Sequence, residues 1–372
     1  MAVYTNVDNP TLFLNTVLYT GNGSSQSITG VGFQPDWTWI KSRAGTYGAY
    51  NPQEYDSVRG AGATKDLTPA TNAVEGIDSG AHGFISSFDT DGFTLGAGSS
   101  NSTQNNGAST TYVAWNWKAG TAFSNDASAT GIGTIDSSGS TNQTVGFSIV
   151  GYTGNGSASQ SVAHNLGGTP EMIIFKCRET VTDWITFHTK LGGANKNVSL
   201  NSTSATGTDT DYFANTNPTS TVFSVGAASN TNRGSEGMIA YCFRSIKGYS
   251  KFGTYAGNGN EDGLFIYTGF KPAWLMVKRI STTGAWLMYD SVRNPSNLTD
   301  KKLLANEHGA ENASASPSGV TASTNNLDLL SNGFKFRRAD GYENASGSTY
   351  IYMAFAEAPF VTAGTKAPGT AR

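Results

Sequence analysis

Along this chain, apolar and polar residues alternate with a period of two in short runs, and the runs are separated by stretches rich in Gly, Asn and Ser. Such alternation predicts strands with one buried face, and turn signals about every 8 to 12 residues predict many of them. No helical periodicity of useful length competes. One set of elements recurs. "YTGNG" stands at residues 19–23 and again at 152–156, and "YAGNG" begins at Tyr255. The Asn-Gly pair predicts a tight reversal after a strand, because a two-residue hairpin turn needs positive φ at its centre.

Reading onward from each turn, the registers coincide. "GFQPDWTWIKSR" begins at Gly32, "GGTPEMIIFKCR" at Gly167 and "GFKPAWLMVKRI" at Gly269. Pro35, Pro170 and Pro272 open a strand in which Trp37, Met172 and Trp274, then Trp39, Ile174 and Met276, then Lys41, Lys176 and Lys278 keep the period of two. A second strand follows at "YDSVRG", "FHTKLGG" and "YDSVRN", and a last one at "YVAWNWK", "MIAYCFR" and "YMAFAEA", with Ala114, Ala240 and Ala354 placed in one register. A period of roughly 100 to 135 residues exceeds the solenoid unit of about 20 to 50 and describes duplicated domains. The expected fold is all-β: three tandem antiparallel β-sandwich domains, jelly-roll or concanavalin-like, over residues 11–119, 120–247 and 248–361. Residues 1–10 form an N-terminal extension and 362–372 a small, polar C-terminal tail. The latter part of the stretch from Ala119 reads as a hairpin leading into "VGFSIVGYTG".

Composition sharpens this picture. Charged residues are 14% of the chain against about 25% in an ordinary domain, and 45 glycines suit short strands and many turns. A net charge of −3, with no run of Lys and Arg among aromatics, speaks against nucleic acid. No apolar run reaches the ~20 residues of a spanning helix, so no membrane insertion is expected. The start "MAVYTNVDNPTLFL" lacks the basic and apolar regions of a secretory signal, so synthesis and folding in a cytoplasm are expected. Cys177 and Cys242 fit no metal or redox spacing and read as buried fillers matching Ser42 and Asn116 of the first copy.

Chemistry is sparse. His82, His164, His188 and His308 are scattered, and no metalloprotease, nucleophile-elbow or phosphate-loop pattern is present. No catalytic residue, metal ligand or cofactor is therefore assigned. "DTDG" at 89–92 opens like a calcium loop, but Phe93 and Ser100 stand where further ligands belong, so it reads as a turn between strands. "DSVR" occurs in copies one and three while copy two has "HTKL". Asp56 with Arg59 and Asp290 with Arg293 read first as turn caps that bridge to a neighbouring loop, and second as a ligand site kept in two units. Most of the tryptophans lie in repeat-defining strands and read as core; Trp184 and Trp286, near strand ends, are the candidates for exposed binding positions.

Together "YTGNG", "GFQPDWTWIKSR", "YDSVRG", "DGFTLG" and "YVAWNWKAG" resemble a domain that recurs in structural proteins of tailed bacteriophages, notably marine and cyanobacterial ones. The resemblance extends over nearly the whole chain. It implies a non-enzymatic virion protein, a tail fibre, spike or capsid-decorating subunit, made in the host cytoplasm and exposed on the particle. The implied partners are further copies of itself and other virion proteins, with a host cell-surface polysaccharide if the protein serves attachment. The alternative expectation is a lectin-like carbohydrate-binding module.

Overall fold

The computed structural model describes residues 5–361 except 45–49, Ser79, Ser102, 312–326 and Asp340. The expected tail at 362–372 and the first four residues of the extension lie outside the described residues. The fold is all-β. Helix among the described residues is limited to the turns Ala127–Thr130 and Ser229–Asn232 and two 3-10 turns.

Three sheets repeat one strand order. In the first, Leu14–Thr20, Thr111–Trp117, Trp37–Ala44 and Gln53–Asp56 lie side by side, all antiparallel. The second sets Phe147–Thr153, Gly237–Phe243, Met172–Cys177 and Ile185–His188 in the same order, and the third Ser250–Ala256, Thr349–Pro359, Phe270–Arg279 and Trp286–Asp290. Each large sheet has a small companion. These are Gln26–Thr29, Gly92–Gly96 and Phe84–Asp89; Gln160–Ala163 with Val222–Val225; and Phe265–Tyr267, Gly333–Phe336 and Leu327–Leu330. We refer to each large sheet with its companion as a unit. "DTDG" is the tight link between Phe84–Asp89 and Gly92–Gly96, and the Asp91 carboxylate accepts the amides of Gly30 (3.1 Å) and Gly32 (2.6 Å).

Because side chains alternate across a strand, each large sheet has two apolar faces and buries both. Ile40, Tyr112 and Ala114 face the small sheet of the first unit, alongside Ile28, Phe93 and Leu95. Residues one step along the same strands, Trp37, Trp39, Trp115 and Trp117, face the other way. There they meet Met172, Ile174, Tyr241 and Phe243 of the second unit and Trp274, Met276, Met353 and Phe355 of the third. The units thus share one central core. Its rings are in direct contact: Trp37 stacks on Tyr241 at 4.9 Å, Trp117 meets Trp274 edge-on at 5.3 Å, and Phe243 meets Phe355 at 6.2 Å. Each such pair is worth about 0.5–1.5 kcal/mol beyond the area it buries. Val7 of the N-terminal extension joins this cluster, held by the Asn6 amide on the Lys247 carbonyl at 3.2 Å.

Two expectations change in detail. "TGNG" makes no hairpin: the strand after it, Gln26–Thr29, pairs with Gly92–Gly96 in the small sheet, so the turn carries the chain from one sheet to the other. Of the expected alanine register, Ala114 and Ala240 hold and Ala354 does not. Ala114 pairs with Ile40 and Ala240 with Phe175, but the residue opposite the equivalent Val277 is Tyr352, two positions earlier. The latter part of the stretch after Ala119 forms the expected hairpin, and its earlier part adds one further strand. Thr121–Asn125 pairs with Ser137–Asn142, and the latter with Phe147–Thr153, widening the second sheet at its edge.

Candidate functional site

The recurring turn is held by a residue that the sequence pattern did not single out. Asn106, Asn232 and Asn344 are buried just ahead of the closing strands, and each accepts, through Oδ1, the amide of the turn asparagine: Asn22 at 3.0 Å, Asn155 at 2.8 Å and Asn258 at 3.0 Å. Their Nδ2 groups donate back, Asn232 to Ser157 and Gly226 carbonyls (both 2.8 Å), Asn344 to Asn260 (2.8 Å) and Arg338 (3.1 Å), and Asn106 to Ser24. The motif tyrosine completes the clasp. Tyr19, Tyr152 and Tyr255 donate their hydroxyls to the carbonyls of Asn105 (2.6 Å), Thr231 (2.5 Å) and Glu343 (2.7 Å), each one residue before the buried Asn. The two glycines of the turn serve different ends. A Cβ on Gly21, Gly154 or Gly257 would fall on the backbone beside the buried Asn, while Gly23, Gly156 and Gly259 take φ of 77°, 68° and 64°.

The residues singled out as ligand candidates lie at the seams between units. Asp56 and Arg59 are joined at 2.5 Å by the turn that ends Gln53–Asp56, and the same carboxylate caps the Arg59 amide at 2.8 Å. Asp290 and Arg293 repeat this geometry at 2.5 and 2.7 Å. All four are buried. Into the first pair comes the Tyr241 hydroxyl of the second unit, 2.7 Å from Asp56 Oδ2; into the other comes Trp115 Nε1 of the first unit, 3.0 Å from Asp290 Oδ2. A glutamate then ties each arginine to the neighbouring unit. Glu75 accepts from Arg59 (3.2 Å) and Arg178 (2.5 Å), and Glu311 from Arg293 (3.3 Å) and Arg43 (2.9 Å).

The junction between the second and third units departs from this, and the second unit has no "DSVR". His188 stands in the place of Asp56 and Asp290, opposite Met172 as they are opposite Trp37 and Trp274. The residue equivalent to Tyr241 and Trp115 is Met353, opposite Met276. A thioether donates no hydrogen bond, so a buried carboxylate here would lack its partner. Leu191 and Ile280, both in the central cluster, occupy the arginine positions.

Lysine struts close the same cycle. Lys41 donates to the Glu307 carbonyl of the third unit at 2.6 Å, Lys176 to Asn72 of the first at 3.3 Å, and Lys278 to Thr203 and Ser204 of the second at 3.0 and 2.8 Å. All three are fully buried, and loss of water around the ammonium lowers the pKa of Lys41 and Lys278 to about 7 and of Lys176 to about 8. Trp184 and Trp286, expected at exposed strand ends, are instead 0% and 2% exposed. Their indole N–H groups donate to Thr68 (3.2 Å) and Ser199 (3.0 Å), again across a seam. Burial overrides the position near a strand end, because the next unit covers it.

Other titratable groups are drawn into the fold in the same manner. The His164 Nδ1 accepts the Leu166 amide and His188 Nδ1 the Lys190 amide, both at 3.1 Å, and burial lowers both imidazoles to about 4. Burial raises Glu54 to about 8, with the Trp37 indole donating to it at 3.2 Å. Cys177 and Cys242 are buried free thiols, raised by desolvation. No group of three His, Cys, Asp or Glu side chains among the described residues is placed to hold a metal ion. Outside the first seam lies a cleft of about 420 Å³, lined by Val58, Arg59, Arg178, Ser137, Ser138 and Thr153 among others. On its wall, Arg59 Nη1 and Arg178 Nε are both paired with Glu75. None of the curated proteins matches the chain. The profile of a domain of unknown function, DUF7483, matches residues 9–359, nearly the full extent of the three units, and the chain belongs to that family.

Proposed function

We propose that this chain is a non-enzymatic structural protein of a bacteriophage virion: a tail fibre, spike or capsid-decorating subunit made in the host cytoplasm and exposed on the particle. On this reading it consists of three tandem β-sandwich domains of jelly-roll or concanavalin-like type that arose by duplication. The repeated strand order and the threefold asparagine clasp support the duplication. The observation that carries the structural role is the cycle of seams. Charged and aromatic groups that an enzyme would direct into a cleft are here spent on joining one unit to the next. A body locked in this way suits display and assembly, and the resemblance of the repeat to tailed-bacteriophage proteins supplies the virion. Its partners would be other virion proteins and further copies of itself.

Of the candidate positions for the carbohydrate-binding alternative, Trp184 and Trp286 have buried indoles. Mass spectrometry of purified particles tests the proposal. Peptides of this chain should appear in amounts comparable to other minor structural proteins, and their absence from particles that are otherwise complete would overturn it.

A further inference from the structure

The second unit covers a sheet edge that the third leaves outermost. In the second, Ser137–Asn142 lies along Phe147–Thr153, in register from Phe147 opposite Asn142 to Tyr152 opposite Ser137. Just before that strand, Ile135 bridges to Val162 of the small sheet and is buried among the apolar residues between the two sheets. The chain thereby closes the mouth of its own unit. In the third unit the equivalent strand, Ser250–Ala256, is outermost in the large sheet, and Phe265–Tyr267 is outermost in the small one.

A groove of about 800 Å³ runs along both edges. Leu264, Phe265 and Tyr267 beside it are 50%, 45% and 54% exposed, an apolar patch of the kind that marks an interaction surface. The Phe252 amide turns outward, donating to Ser245 Oγ at 3.2 Å. By the period of two, the amides of Thr254 and Ala256 point the same way. Lys190, Lys247 and Lys251 line the groove together with the carboxylate of Glu171, and Lys251 Nζ donates across it to the Tyr267 carbonyl at 2.7 Å. Ile266 occupies the place of Val162 in the small sheet.

We propose that this groove is a strand-acceptor site for an extended segment of a partner protein, which adds antiparallel to Ser250–Ala256. The second unit supplies the template for its chemistry. The segment carries an aliphatic anchor two residues before the strand, small polar side chains along it as in Ser137–Asn142, and a carboxylate at the far end to meet the lysines. Main-chain hydrogen bonds give such an addition its affinity and the anchor its register. The inference stands on the sheet edges and does not depend on the virion assignment.

A peptide copying residues 133–143 with the change Asn142→Glu, added to the full chain, tests it. Saturable binding is expected, read by fluorescence anisotropy, together with about tenfold slower amide exchange at Thr254 and Ala256. The Lys251→Glu variant should bind about tenfold more weakly, and Thr254→Pro, which removes an outward donor from the edge, should not bind. Unchanged exchange at Met353 and Phe355 verifies that each variant is folded, and Lys251→Glu serves alone if the proline variant is not. A peptide with the change Ile135→Ser should lose binding. Absence of saturable binding, equal binding by the variants, or self-association of the chain through this edge would overturn the proposal.

Discussion

Gly253 lies opposite Tyr352, where the first unit sets Val17 opposite Ala114 and the second Val150 opposite Ala240. The Tyr352 ring crosses over the glycine, and a Cβ there would stand 2.5 Å from its Cζ. One small and one larger residue fill the same space with the sizes exchanged. Gly253→Val should therefore destabilise the protein by about 1–3 kcal/mol through overpacking, and Tyr352→Ala by about 3–5 kcal/mol through a cavity. The double variant restores the Val–Ala pair of the other units. Denaturant titration should find its loss smaller than the sum of the two; strict additivity would mean the positions do not compensate. This exchange was hidden in the sequence, where Ala354 offered a false register two residues away. The signal that finds the true one is the spacing from the buried asparagine, eight residues from Asn106 to Ala114, Asn232 to Ala240 and Asn344 to Tyr352.

At the scale of elements, each seam is made where the end of a short strand and its turn meet the closing strand of the next unit. Two of the three seams carry a buried Asp–Arg–Glu network and the third carries His188, Leu191 and Ile280. The chemistry of the incoming residue decides which, since Tyr241 and Trp115 bring donors and Met353 brings none. Asp56→Ala would leave Arg59 and the Tyr241 hydroxyl buried without their acceptor, so we expect a loss of about 3–5 kcal/mol in urea titration. His188→Ala removes a neutral ring and should cost clearly less. Equal losses would show that the charged seam is no more tightly coupled than the apolar one. The motif was visible along the chain as "DSVR", yet its partners were not, because Glu75, Arg178 and Tyr241 lie 19, 122 and 185 residues from Asp56 in sequence.

The large sheets use one face for their own unit and the other for the common core, so no large sheet has a face left for water. This sets how the whole molecule unfolds. Separating one unit from the others would expose Trp37, Trp117 and Trp274 or their neighbours together with the buried lysines. Calorimetry should accordingly record a single transition whose calorimetric and van't Hoff enthalpies agree. Three resolved transitions, as for beads on a string, would contradict the shared core. Residues 248–361 expressed alone should expose apolar surface and bind a hydrophobic dye.

By itself, the sequence determined the all-β class, the threefold recurrence and the Pro-led strands, because alternation, turn residues and duplicated registers are local properties of the chain. It also marked the tryptophans of those strands as packing residues. Only the tertiary structure decided what the second face of each large sheet meets, and so converted Trp184, Trp286 and the "DSVR" pairs from candidates for ligand contact into struts between units. The physical reason is that period-two patterning states which residues share a face but not what covers it. Burial of a charge or an indole depends on partners that the next unit brings in, 75 residues away for Lys278 and Thr203 and 266 for Lys41 and Glu307.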